Sequence, residues 1–152
     1  MSPEEKLKSL GLTLPKVPTP VANYVPFKVD GRTIYLSGQG PRRPDGSLIT
    51  GRVGEEITVE KGYECARLIG LGLLAAAKLA SGDLGKVEVL KVLGMVNAVP
   101  DFELHPNVIN GCSDLLIEVF GAAGQHARSA VGFGSLPGNI TVEIEAIVAL
   151  KD

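Results

Sequence analysis

Two alternating runs near the C-terminus, separated by a Pro-Gly turn, constrain the fold of this chain more than any other feature. They span residues 127–135 and 140–148, and Pro137-Gly138 lies between them. Alternating runs that flank such a turn predict a β-hairpin. The chain is therefore expected to end in two adjacent strands whose side chains alternate between two faces.

The alternation gives the two faces of this predicted hairpin different characters. If the turn is centred on Pro137 and Gly138, Gly132 lies opposite Glu143. One face is then wholly apolar and is expected to pack on helices: Val131, Phe133, Val142, Ile144, Ala146 and Val148. The other face combines charges with small residues and an isoleucine: Arg128, Ala130, Gly132, Glu143, Glu145 and Ile147. Such a mixed face is typical of a surface that meets a ligand or a partner.

The rest of the chain predicts an α+β two-layer sandwich. Ser2 and Thr58 are predicted to start two helices, one ending near Leu10 and one over 59–80. The Asp30-Gly31 turn predicts strands at 24–29 and 32–37, and a strand over 87–99 and a helix over 106–120 follow. Strands combined with two long helices on one face define this fold class. The N-terminal helix and its Pro-rich connector (1–20) are expected to precede one domain (21–152).

Composition excludes several classes of protein. The 152 residues are 45% apolar and 21% charged, with a net charge of −2. This balance favours a globular protein and argues against a nucleic-acid partner, and Arg42-Arg43 is interpreted as part of a solvated loop. No apolar run approaches about 18 residues, and the acidic N-terminus does not resemble a signal peptide. A cytoplasmic protein that does not contact a membrane is expected.

Cysteine and histidine give no metal-binding pattern. Cys65 and Cys112 fall in predicted helices and are expected to be free, buried thiols. His105 and His126 could serve as general bases, although surface or capping roles are more common. A Cys112–His126 nucleophile pair stays open, without a local signature to support it.

Five motifs in order resemble the RidA (YjgF) family. They are Tyr24, Ser37-Gly38-Gln39, Arg128-Ser129-Ala130-Val131, Leu136-Pro137 and Val142-Glu143-Ile144-Glu145-Ala146. The resemblance covers the chain from about Tyr24 to its end. It implies a chorismate-mutase-like fold of the bacillary type, with a mixed sheet, and a homotrimer with sites between its subunits.

The resemblance also implies an activity: hydrolysis of reactive enamines and imines, released by pyridoxal-phosphate-dependent dehydratases, to 2-keto acids and ammonia. This chemistry demands neither metal nor cofactor. A non-catalytic trimeric module that binds a small carboxylate and regulates a partner is the alternative. Endoribonuclease activity, which the family name has carried, is less compatible with the acidic balance.

The same resemblance assigns roles to single residues. Arg128 matches the arginine that binds the substrate carboxylate, and Glu143 the glutamate that positions or activates water. The residues that match the rest of the pocket are Tyr24, Ser37, Gly38, Ala130, which replaces a frequent cysteine, and Asn110, the best match to an asparagine near the start of the second long helix. The longer second helix and the N-terminal extension indicate a divergent subgroup.

Two alternatives concern the charges. The residue pattern alone favours a diagonal ion pair between Arg128 and Glu145, whereas the family match favours an anion-binding role for Arg128. Arg128 and Glu143 are expected to lie ~13 Å apart along the hairpin. If both act on one substrate, a neighbouring subunit is expected to close this gap.

Overall fold

The computed structural model describes residues 1–19 and 22–152 as a five-stranded sheet with two long helices on one face. The elements are α1 Pro3–Ser9, β1 Phe27–Asp30, β2 Thr33–Gln39, α2 Val59–Ser81, β3 Val87–Asn97, α3 His105–Phe120, β4 Ala127–Phe133 and β5 Val142–Leu150. The strand order is β1-β2-β5-β3-β4, and only the β3–β4 pair is parallel within the described residues. The predicted element order and the mixed-sheet α+β class are confirmed.

Side-chain caps fix where two helices begin. Ser2 Oγ accepts a hydrogen bond from the Glu5 N–H at 3.1 Å, and Glu5 Oε2 accepts one from the Ser2 N–H at 2.7 Å. This reciprocal pair is a capping box and starts α1. Thr58 Oγ1 accepts from the Lys61 N–H at 3.1 Å and starts α2. Both starts lie where the sequence predicts them.

The helix α1 packs against the C-terminal end of α2. Leu7 is buried in the main core. Glu4 Oε1 accepts hydrogen bonds from Lys78 Nζ at 2.9 Å and from the Leu84 N–H at 2.8 Å. The N-terminal helix therefore packs as part of the molecule. The predicted boundary at residues 20 and 21 falls on two residues outside the described ranges.

The predicted hairpin around Asp30-Gly31 is confirmed. β1 and β2 pair antiparallel from Asp30↔Thr33 to Phe27↔Leu36. Gly31 has a φ of 61°, a conformation that glycine adopts without a steric penalty.

The predicted C-terminal hairpin is wrong. β4 pairs in parallel with β3, and β5 lies on the other side of β3. The segment between β4 and β5 instead crosses the end of β3. There the side-chain amide of Asn97, which is 1% exposed, donates to Asn139 Oδ1 at 3.0 Å and to the Ile140 carbonyl at 3.1 Å. These non-local hydrogen bonds satisfy the buried amide nitrogen of Asn97 and direct the connection away from a tight turn.

The observed pairing places Arg128 on the helix-covered face of the sheet. Val92 of β3 is in register with both Arg128 and Ala146. Residues in register on neighbouring strands share a face, and Ala146 is buried beneath the helices. Ala130 and Gly132 follow at steps of two and lie on the same face as Arg128.

Val131 and Phe133 consequently lie on the helix-free face, not in the core as predicted. Met95 is in register with both Val131 and Glu143. Val131 is 39% and Phe133 42% exposed. Because β4 pairs with β3 and not with β5, its side chains lie one residue out of step with the predicted hairpin. A shift of one residue moves every side chain of a strand to the other face.

The two long helices pack closely on each other at Gly111. A Cβ on Gly111 would collide with the Tyr63 carbonyl oxygen and would lie 3.0 Å from the Arg67 nitrogen. Both contacts are backbone atoms of α2, so the crossing requires glycine at this position of α3. Within the described residues, no helix combines the length and apolar character needed to cross a membrane.

Candidate functional site

A cavity of about 250 Å³ lies at the end of β2. Tyr24, Ser37 and Gly38, three of the predicted pocket residues, line it together. The Ser37 hydroxyl donates to the Val25 carbonyl at 2.6 Å, so its oxygen can present only acceptor lone pairs to the cavity. The connector at residues 17–19 forms another part of the wall.

Glu143 lies against Gly38, which lines this cavity. Its Oε2 lies 2.7 Å from the point where a Cβ on Gly38 would stand. Burial raises the pKa of the Glu143 carboxyl above its usual range, and repulsion from Glu145 raises it further. A raised pKa makes a carboxylate a better proton acceptor near neutral pH. Glu143 and the cavity residues thus form one group, suited to holding and deprotonating water.

Gly38→Ala tests this contact. The added Cβ displaces the Glu143 carboxylate, which sits at the end of a flexible side chain. For the imine hydrolysis that the family resemblance implies, we expect an about tenfold lower kcat, with the urea unfolding midpoint nearly unchanged. Gly134→Ala is the matched control, because a Cβ there meets no atom within 4 Å and the backbone has no positive φ. Steady-state kinetics and urea unfolding measure both effects. Equal kcat values for the two variants would contradict the arrangement.

Arg128 lies away from this cavity, on the other face of the sheet. Its Nη1 donates to the Ser113 Oγ of α3 at 3.0 Å. The alternative of an ion pair between Arg128 and Glu145 is not formed, because Arg128 is in register with Val92 and Glu145 with Leu93, on opposite faces. No ion pair found among the described residues includes Arg128. Its guanidinium therefore keeps donors available for an anion.

Ala130 and Asn110 belong to the Arg128 side of the sheet. Ala130 is in register with Gly94, whose α-carbon packs against Ile109 of α3. Asn110 is half-buried on α3, three residues before Ser113 and so on the same side of that helix. The predicted site residues thus fall into two groups on opposite faces of one chain, and the cavity at the end of β2 is lined by members of only one of them.

The structure adds residues that the sequence interpretation missed. Ser113 contacts Arg128 directly, and His126, which the sequence offered only as a general base, contacts it through Ser113. Arg42, interpreted as part of a solvated loop, lines the cavity beside Ser37 and Gly38. The available signal for Ser113 was a serine one helical turn after Asn110, next to the apolar positions Cys112, Leu115 and Leu116 of that helix.

The cysteines do not take part in either group. Cys65 and Cys112 are free and buried, as predicted. Burial raises the pKa of Cys112 to about 12, which leaves little nucleophilic thiolate at neutral pH. His126 bonds to Ser113 and Gly124, so the Cys112–His126 pair is not formed. Across residues 1–19 and 22–152, no cluster of His, Cys, Asp and Glu is placed to hold a metal ion.

The fold and the divided site define a chorismate-mutase-like α+β protein, and comparison with known proteins places it further. Residues 4–147 match the family described as "YjgF/chorismate_mutase-like, putative endoribonuclease". The chain belongs to this YjgF/RidA family. It is similar to the crystal structure of Atu1372 from Agrobacterium tumefaciens, a protein of unknown function, with 44% identity, a TM-score of 0.89 and coverage of 99% of this chain and 94% of the other.

Two sequence relatives span nearly the whole chain. Protein TCP17 of Trypanosoma cruzi is 39% identical over 96% of this chain and 92% of its own length. A protein of Dermatophagoides farinae named 2-iminobutanoate/2-iminopropanoate deaminase is 27% identical over 92% of this chain and 95% of its own length.

Proposed function

We propose that this protein hydrolyses reactive enamines and imines of small 2-keto acids to the keto acids and ammonia. The observation that carries the proposal is Glu143, a half-buried carboxylate with a raised pKa that lies against the cavity-lining Gly38. The relative named as a deaminase supports the same reaction at 27% identity.

The proposed reaction needs few groups. The Arg128 guanidinium donates two parallel hydrogen bonds to the substrate carboxylate and so orients the C=N carbon. Glu143 accepts a proton from water as the water oxygen bonds to that carbon. The π bond of C=N breaks as nitrogen takes that proton, which gives a carbinolamine. The hydroxyl of the carbinolamine then loses its proton through Glu143 to the nitrogen, and the C–N bond breaks to release ammonia and the keto acid. Substrate imine plus water thus balances keto acid plus ammonia.

We propose further that the two groups combine between the subunits of a homotrimer. Arg128 lies on β4, the edge strand, on the helix-covered face, whereas Glu143 lies on the helix-free face. A small ligand cannot contact both side chains of one chain through the sheet. The helix-free face also exposes Tyr35, Val131 and Phe133, an apolar surface that association would bury.

Sedimentation equilibrium tests this assembly. We expect a mass three times the 15.9 kDa of the chain. Val131→Asp places a charge on the helix-free face and is expected to shift the protein toward monomers, with loss of activity because each site becomes incomplete. Leu79→Asp is the matched control, since Leu79 is 61% exposed on α2, away from this face. A monomeric wild-type protein with full activity would contradict the proposal.

The activity itself is tested with 2-iminopropanoate and 2-iminobutanoate generated in situ. We expect the wild type to accelerate hydrolysis, and Arg128→Ala to raise KM about 10- to 100-fold through loss of charge-assisted hydrogen bonds. Arg67→Ala is the control, because Arg67 pairs with Glu118 between the helices. Absence of acceleration by the wild type would exclude the deaminase for these substrates. Pyruvate binding without turnover would favour the regulatory module.

A further inference from the structure

We propose that Ser113 and His126 form a hydrogen-bonded relay that positions the Arg128 guanidinium for its anionic ligand. The inference rests on the proposed function only in taking Arg128 as the carboxylate anchor. Three hydrogen bonds carry it. His126 Nδ1 lies 2.6 Å from the Gly124 carbonyl, His126 Nε2 lies 2.9 Å from Ser113 Oγ, and Arg128 Nη1 lies 3.0 Å from the same Oγ.

The chemistry of these groups fixes the direction of the His126–Gly124 and Arg128–Ser113 bonds, and a neutral imidazole fixes the third. A carbonyl oxygen can only accept, so Nδ1 of His126 carries the proton that is donated to Gly124. In the neutral ring, Nε2 is then unprotonated and accepts the proton of the Ser113 hydroxyl. With its proton committed to His126, Ser113 Oγ presents lone pairs toward Arg128. The serine hydroxyl, which rotates freely when unpaired, is thereby held as an acceptor for the guanidinium.

The relay is built on rigid parts of the fold. Ser113 is 7% exposed, and its neighbour Cys112 is fully buried in the core. Gly124 packs so closely on α3 that a Cβ there would collide with the Leu116 carbonyl oxygen. The carbonyl that orients His126 is therefore fixed against the same helix that carries Ser113. The flexible Arg128 side chain is tied to α3 at one nitrogen, and its other donors remain for the ligand.

Preorganisation of this kind predicts an effect on binding more than on chemistry. An arginine that is already held loses less conformational freedom when it binds a carboxylate. Removal of the Ser113 acceptor should therefore raise KM and leave kcat nearly unchanged. A purely structural link between α3 and β4 would instead alter stability and leave KM unaffected.

Four single variants and one double variant separate these roles. Ser113→Ala and His126→Leu are expected to raise KM for 2-iminopropanoate about tenfold, as expected for loss of a hydrogen bond to a charged group. Ser113→Thr keeps the hydroxyl and His126→Gln keeps an acceptor near the position of Nε2, so both should retain a KM close to that of the wild type. In an Arg128→Ala background, Ser113→Ala should raise KM no further. A further tenfold rise in KM in the Arg128→Ala background would overturn the relay. An unchanged KM in Ser113→Ala itself would also overturn it.

A second measurement does not depend on turnover. Phenylglyoxal modification, followed by peptide mass spectrometry, reports the reactivity of each arginine. We expect Ser113→Ala to change the rate at Arg128 severalfold and to leave the rate at Arg43, an exposed loop residue, unchanged. Equal Arg128 rates in the wild type and Ser113→Ala would overturn the relay even in an active enzyme. If the wild type shows no deaminase activity while Ser113→Ala still changes the phenylglyoxal rate at Arg128, the proposed reaction is rejected and the relay is retained.

Discussion

Glu143→Gln is expected to lower kcat for imine hydrolysis by about 10²–10⁴-fold, the range for loss of a general base. The variant keeps the size of the side chain and removes only its ability to accept a proton. Glu145→Gln is the matched control, since Glu145 lies two residues along the same strand on the same face but is exposed. We expect kcat of that control to stay within about twofold of the wild type. Equal losses in the two variants would exclude a specific role for Glu143.

The pH dependence follows from the raised pKa of Glu143. The deprotonated form acts as base, so activity should fall as pH drops through this raised pKa. Glu145→Gln removes the repulsion that contributes to the shift, so the acid limb of its profile should move to lower pH. A profile that moves to higher pH, or does not move, would contradict this assignment of the cause.

The same shift predicts an effect on stability. The folded state binds a proton to Glu143 more tightly than the unfolded state does, so the favourable contribution is present at low pH and is lost as pH rises through the folded pKa. Glutamine does not ionise, so Glu143→Gln removes this loss of stability at higher pH. Urea unfolding at pH 7 should therefore find the inactive variant as stable as the wild type, or more stable.

The sequence predicted the elements of the fold better than their pairing. Caps at Ser2 and Thr58 and the turn at Asp30-Gly31 are local signals, and the structure bears out all three. The Pro137-Gly138 turn is also a local signal, but the partner strand of β4 is set elsewhere. Asn97, at the end of β3, donates hydrogen bonds to Asn139 and Ile140 in the segment after that turn. The segment is thereby held across the end of β3, and β4 and β5 do not pair with each other.

The candidate site divides in the same way. Tyr24, Ser37 and Gly38 come together because they belong to adjacent segments around one strand end. Arg128 was assigned to the wrong face because its face depends on the parallel pairing with β3, which no local pattern encodes. The contact between Ser113 and Arg128 depends on the packing of α3 against that edge strand, so it too could not be deduced from spacing.

The two halves of the site depend on different parts of the molecule. Glu143 and the cavity depend on the junction of β2 and β5, where Gly38 leaves room for the carboxylate. Arg128 depends on α3, through Ser113. A change that displaces α3 should therefore impair anion binding before it alters the Glu143 half.

Gly111→Ala is expected to be more destabilising than the alanine substitutions at Gly38, Gly70 and Gly134. The new Cβ would collide with the Tyr63 carbonyl oxygen and lie 3.0 Å from the Arg67 nitrogen, and backbone atoms of a packed helix cannot rotate away. We expect a loss of about 3 kcal/mol or more in the free energy of unfolding, at the upper end of overpacking costs, even after the better helix propensity of alanine. Urea unfolding measures it.

Gly70→Ala is the matched control for Gly111→Ala. It lies at the same helix interface, but its added Cβ would lie 2.9 Å from Leu115 Cδ2, the end of a flexible side chain. Its loss should stay near about 1 kcal/mol, because the leucine can change rotamer and alanine favours the helix. Equal stabilities of the two variants would show that α3 can move away from α2 at little cost. In that case α3 could not serve as the rigid support that holds Ser113 against Arg128.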